Sequence, residues 1–516
     1  MKLDAQFSGK QTFLNMAGQG LAFSVNMLMG FFLTPFIVKH IGSTANGFVG
    51  LSHNFTVYAS LVVTALNSMA GRFIAIAYFQ LREKDVRKCY SSVFIANIVI
   101  CLVLTLPAVW ILVHLSAIVE VPSSLLSDVT ILFAFTFAQF AVMTVGGVYN
   151  NSAYVANRID LVSSRNIESK ILCVVLIILL FSCFTPRLWY LGLVYFICGC
   201  YNVLRNYYIH RKLMPEVKIR RSYFELEKVK ELVSSGIWNS VSSLGGILLD
   251  QLDLLIINMM ISADAMGIVS VAKVIPLCII GLVCSLGSTI APSLTKWYAE
   301  ENFGKINETL FFNMRLLAAL FCVPIVFLAV FGGDFYRLWV PSMDARSLWL
   351  LSLFMLALTP ITLSLNPLLY VFTSANKVRI NSLVTIGYAV LSLLTMFLLL
   401  QFTEDTLLKM TIVVVTSKFF SALQGVTFTI PYVARLLSIG KILFFRTMLT
   451  AFVPLLITAG FCWLIRYSFP LNNWISLIGV GLMTAVAGLL CSGLLLFNRE
   501  EKQRVINMIA ARFPLR

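Results

Sequence analysis

Apolar runs of about 20 residues, each long enough to cross some 30 Å of hydrocarbon as a helix, follow one another along almost the whole chain. In lipid every backbone amide must find its partner within the protein, so a spanning segment is a helix or part of a closed barrel. These runs are too long and too uniformly apolar for barrel strands. Spans read at 13–37, 47–70, 90–113, 128–150, 168–184, 188–209, 233–260, 264–290, 307–331, 346–372, 380–401, 406–430, 443–465 and 474–497. The expectation is an all-α integral membrane protein with about fourteen transmembrane helices.

Composition agrees. Hydrophobic residues make up 59% of the 516 residues and charged ones 12%, about half the charged share of a soluble domain. That excludes a soluble enzyme and a nucleic-acid binder, even at a formal net charge of +16. The longest polar stretch, His210 to Glu231, is too short to fold alone. A short polar tail, residues 1–12, leads into a full-length span, so no cleavable signal peptide is expected.

Catalytic and metal signatures do not emerge. The 11 cysteines include no CxxC pair, and Cys198 and Cys200 are too close for a metal half-site; they read as small buried hydrophobes. The 4 histidines form no HExxH. Gly9-Lys10 lacks the rest of a P-loop. The chain is therefore read as no enzyme and as carrying no cofactor. Any transport would draw on Na⁺ or H⁺ as coupling ion, or on the substrate's own gradient.

Lys and Arg set the orientation. With the N-terminus inside, inner segments hold 31 of the 39 basic residues and outer loops hold 6, while Lys273 and Lys418 fall within spans. This asymmetry places both termini in the cytoplasm.

The chain also matches itself at a shift of 220 residues. Ile41, Ala45, Gly47 and Val49 meet Ile261, Ala265, Gly267 and Val269, and Val63, Leu66, Ser68 and Tyr78 meet Val283, Leu286, Ser288 and Tyr298. At a shift of 219, Ala156-Asn157-Arg158-Ile159 falls on Ala375-Asn376-Lys377-Val378. The unit holds six helices, an even number, so the halves share one orientation and are related by a pseudo-two-fold axis along the membrane normal. Such transporters bind substrate near the midplane between the halves. The expected division is a first lobe at 1–210, a cytoplasmic linker at 211–232, a second lobe at 233–432, and helices thirteen and fourteen with a cytoplasmic tail at 433–516.

The chain resembles the multidrug/oligosaccharidyl-lipid/polysaccharide (MOP) exporter superfamily, and within it the Wzx-type O-antigen and capsule flippases. The residues that carry this are Asn67-Ser-Met-Ala-Gly-Arg72-Phe-Ile-Ala, Ala156-Asn-Arg-Ile-Asp160, Gly236-Ile-Trp-Asn-Ser with Leu252-Asp-Leu-Leu-Ile-Ile, and Ser374-Ala-Asn-Lys-Val-Arg-Ile-Asn381. The likeness covers residues 10–470 and is diffuse. It implies a flippase of the bacterial inner membrane that moves oligosaccharide linked to polyprenyl diphosphate for surface polysaccharide. Its implied partners are that lipid-linked substrate, membrane lipid, and the polysaccharide polymerase and chain-length machinery.

Charges inside the membrane are the candidate site. A charge near mid-bilayer costs about 2.5–3.5 kcal/mol on insertion scales and tends to face the bundle interior. Asp253 and Lys273 each lie about ten residues from the turn at 261–264, roughly 15 Å along a helix, so they reach a similar depth. They read either as a structural ion pair or, with Asp250 one turn from Asp253, as a coupling site. The 220 shift sets His53 against Lys273. Asn54 and Asn26 add polar groups, and Lys418 lies mid-span. Arg72 reads as a positive-inside anchor or as a receiver of the incoming phosphate. If His53, Lys273 and Lys418 dominate, the ligand is an anion such as a diphosphate-linked glycan. If Asp250 and Asp253 dominate, it is a cation, as for a multidrug exporter. A lipid II flippase shares the anionic chemistry, and a non-transporting scaffold would need no charges at this depth. Pro35, Pro107, Pro276, Pro324, Pro360 and Pro367 interrupt spans, which suits helices that bend during alternating access.

Overall fold

The computed structural model describes residues 9–468 and 471–503. Its secondary structure is helical, with no strand among the described residues. The tail from residue 504 onward, expected on the cytoplasmic side, lies outside the described residues. Thirteen described helices are long and apolar enough to cross a membrane. The helix Trp189–Leu213 is equally long at 25 residues, but Asn202, Arg205 and Asn206 lower its hydropathy. Counted with the thirteen, it gives the fourteen spans expected.

The chain forms two compact units, one of residues up to Ile247 plus Gln251–Val271, the other of Leu248–Asp250 and the described residues from Ala272. The first unit contains α1 (Gly9–Ile41), α2 (Ser43–Phe79), α3 (Glu83–Val113), α4 (Leu126–Gly146), α5 (Ile159–Cys183), α6 (Trp189–Leu213), most of α7 (Leu226–Asp250), α8 (Asp253–Met260) and α9 (Ala263–Ala272, but for its last residue). The sequence reading put the second lobe's start at 233, whereas α7 packs with α2. A Cβ on Gly236 would sit 2.0 Å from the Ala65 carbonyl oxygen, so only glycine allows this approach. Ser240 Oγ donates to the Leu61 carbonyl at 2.9 Å and Asn239 Nδ2 to Ser68 Oγ at 3.1 Å. Two of the stretches that carry the family resemblance thus meet each other.

In the second unit, α10 (Val274–Gly287), α11 (Phe303–Trp339), α12 (Ala345–Ala357), α13 (Val378–Leu400) and α14 (Thr406–Gln424) precede the last two spans, Phe452–Ser468 and Trp474–Leu495. The internal repeat is visible in the backbone. Of five non-glycine residues with positive φ among those described, four form equivalent pairs: Leu81 (57°) with Glu301 (53°), and Asn157 (51°) with Asn376 (54°). The bonds recur with them, since Arg82 N reaches the Ala77 carbonyl as Asn302 N reaches that of Trp297. Each unit has its own core, built from equivalent positions. Ala70, Ile74, Val86 and Tyr90 are buried in one, Ile290, Leu294, Ile306 and Leu310 in the other.

Two expected helices are interrupted. The reading of 233–260 as one helix, with Asp250 and Asp253 on one face, is corrected: α7 ends at Asp250 and α8 starts at Asp253. The Gln251 carbonyl between them accepts from Asn54 Nδ2 at 2.9 Å and Tyr58 OH at 2.7 Å, so side chains supply the bonds that make the break tolerable. Likewise 264–290 is broken at Lys273, between α9 and α10. Here Pro276 is the cause. It lacks the N–H that would bond to the carbonyl four residues back. That carbonyl, Ala272, accepts instead from Ser352 Oγ at 2.8 Å and Tyr336 OH at 3.4 Å.

Candidate functional site

The helix breaks hold the charged candidates. In the second unit Asp250, the last residue of α7, forms an ion pair with Lys418 of α14. Lys273 Nζ, at the break before α10, reaches the Asp250 backbone carbonyl at 3.4 Å. Leu249, Ala389 and Phe420 bury one another beside the pair and fix the end of α7 against α13 and α14. The sequence reading treated Lys418 as a cation on its own. The structure gives it a carboxylate, and leaves that carboxylate 42% exposed against 22% for the lysine side chain.

In the first unit, Asn54 is 5% exposed and its amide is spent on the Gln251 carbonyl. It anchors the break and does not face a ligand. His53, beside it on α2, is exposed. Asp253 begins α8, its Oδ1 accepting from the Leu254 backbone N at 2.8 Å. Asn26 is exposed on α1. Arg72 is exposed near the far end of α2, 19 residues and so about 28 Å of helix from His53, and the two do not share a site.

Two cations escaped the sequence reading. Arg165 and Lys170 were assigned to a cytoplasmic loop and the head of a span at 168, but α5 starts at Ile159 and encloses both. Arg165 is 7% exposed, and no carboxylate pairs with it among the described residues. Its guanidinium donates to Asn206 Oδ1, to Asn150 Oδ1 at 3.4 Å and to Asn166 Oδ1 at 2.7 Å, while Nε finds no acceptor. One turn on, Glu168 takes Arg205 Nε at 3.0 Å and Tyr201 OH at 2.5 Å. Lys170 lies 11 residues into the 25-residue α5, close to mid-span. It makes no ion pair among the described residues. The turn at Asn157, just before α5, is the signal that locates the helix start. A hydropathy window misses it because Arg165, Glu168 and Lys170 pull the average down.

A profile described as "Polysaccharide biosynthesis protein" matches residues 9–298, more than half of the chain. The "Uncharacterized membrane protein EpsK" of Bacillus subtilis (strain 168) is 25% identical over 496 residues, covering 96% of this chain and 97% of that protein. Among solved structures, the lipid II flippase MurJ in an inward closed conformation superposes with a TM-score of 0.67 at 14% identity, over 92% of this chain and 98% of that one. A multidrug resistance MATE family transporter of the MOP superfamily, inward-facing, gives 0.64 at 14% identity over 80% of this chain and 94% of that one. These two likenesses concern the fold. A helical membrane chain built of two repeats, with charges at its helix breaks and a family match over more than half of its length, belongs to the polysaccharide biosynthesis protein family.

Proposed function

We propose that the protein moves oligosaccharide units linked to polyprenyl diphosphate from the cytoplasmic to the outer leaflet of the bacterial inner membrane, for surface polysaccharide, by alternating access. Both termini lie in the cytoplasm in this reading, following the distribution of Lys and Arg. The observation that carries it is Lys170: a mid-span ammonium with no acidic partner among the described residues. A lone cation in low dielectric attracts an anion, and a diphosphate is an anion that a glycan carrier brings into the membrane. In the second unit Asp250 engages Lys418, which supports a coupling role for that carboxylate with Na⁺ or H⁺. The polymerase and chain-length machinery would receive the product on the outer side.

The half-exposed Asp250 favours a second reading, export of an organic cation. Reconstitution into proteoliposomes decides between them. Lipid-linked oligosaccharide should become accessible on the opposite leaflet under an imposed Na⁺ or H⁺ gradient. Uptake of a cationic dye with no movement of the lipid would establish the exporter instead.

A further inference from the structure

Between α1 and α5 lies a groove of about 430 Å³. Val25, Leu28, Phe32 and Phe36 line it from α1, Val174 and Ile178 from α5, and of all its lining residues only Lys170 is charged. Lys170 and Val25 stand near the middle of their helices. From there the apolar walls continue to Ile178 and Phe36, 8 and 11 residues further on, or about 12 and 16 Å. Along its length the groove is therefore apolar, with a single cation at its mid-membrane end.

We propose that this groove holds the polyprenyl chain of the carried lipid while Lys170 Nζ binds its phosphate. The inference rests on the flippase reading and names a place where the carrier sits. Charge complementarity selects the occupant. A resident phospholipid keeps its phosphate at the membrane surface, roughly half of the 30 Å hydrocarbon thickness away from Lys170. A phosphate drawn to mid-span belongs to a lipid in transit. The apolar walls beyond the lysine then accept a chain that leaves the head group sideways, so the tail stays out of any polar cavity. Phe32 and Phe36 offer flat surfaces to a methyl-branched chain.

The test uses the full-length protein and native mass spectrometry with undecaprenyl phosphate, undecaprenol and phosphatidylglycerol as probes. A charge-assisted contact predicts that wild type prefers undecaprenyl phosphate to undecaprenol about tenfold. Lys170→Gln should erase that preference, Lys170→Arg should keep it, and Val174→Trp should weaken both prenyl lipids. Equal binding of phosphatidylglycerol, or an unchanged preference in Lys170→Gln, overturns the proposal. Translocation of a lipid-linked glycan in proteoliposomes separates this from the broader reading. If wild type translocates and Lys170→Gln and Val174→Trp match it in both assays, the groove is wrong and the flippase stands. If wild type binds undecaprenyl phosphate through Lys170 but moves no glycan, the flippase reading falls and the groove stands.

Discussion

Thr44 Oγ1 donates to Asp264 Oδ1 at 2.5 Å, joining two residues that hold the same place in the two repeats. Gly47 and Gly267, another equivalent pair, pack backbone to backbone beside them. A Cβ on Gly47 would come within 3.0 Å of Gly267 Cα, and one on Gly267 within 2.7 Å of the Ser43 carbonyl carbon. Both contacts lie within the first unit and hold α2 against α9.

If α2 and α9 must part at this contact for the substrate to leave, fixing it stops transport. Thr44→Cys with Asp264→Cys, in a background without the native cysteines, is expected to form a disulfide that abolishes translocation, with recovery on reduction. Full activity of the oxidised protein would show that the contact is static. Gly267→Ala overpacks the same point and should lower stability by about 1–3 kcal/mol, read by thermal unfolding in detergent.

The left-handed turns offer a backbone test. Asn157 and Asn376 have φ of 51° and 54°. A β-branched residue there is strained, so Asn157→Val or Asn376→Val is expected to destabilise by about 1–3 kcal/mol. Glycine at either site should be tolerated. Equal melting temperatures for the valine and glycine variants would contradict the geometry.

Asp250 and Lys418 form a pair whose members can be removed singly or together. Lys418→Ala leaves a carboxylate without its counter-charge inside the membrane, a loss of about 3–5 kcal/mol where burial is complete and less at this exposure. Asp250→Asn with Lys418→Gln should recover most of the assembly. A double variant that also recovers gradient-driven transport would remove Asp250 from coupling, whereas one that folds but no longer responds to the gradient would support it.

Topology is open to labelling from outside intact cells. Cysteines at Ser123 and at Ser342 should react with a membrane-impermeant thiol reagent, and one at Lys218 should not. Ser342 is preferred to Asp344 because the Asp344 carboxylate caps α12, accepting from Ser347 N at 2.9 Å. A reactive Lys218→Cys would invert the orientation.

The spans, their number and the repeat were legible because each is a pattern spread over many residues, and the loss of a few signals does not hide it. The breaks were harder to read. Pro276 announces its own break, but the one at Gln251 depends on Asn54 and Tyr58 capturing a carbonyl almost 200 positions away in sequence. The partner of Lys418 was hidden for the same reason: Asp250 meets it across 168 positions. Lys170 was missed because polar residues near it lowered the local hydropathy, although Asn206 and Arg205 on α6 hydrogen-bond with Arg165 and Glu168.

Leu81 and Glu301 share no side-chain chemistry, yet both hold the same left-handed shape at the same hairpin. The two halves differ in many of their letters and share these bends. The two halves are therefore better compared as a string of dihedral angles than as a string of amino acids. An engineer seeking to swap segments between them has a natural cutting point at this corner, where the chain path matches even though the residues do not.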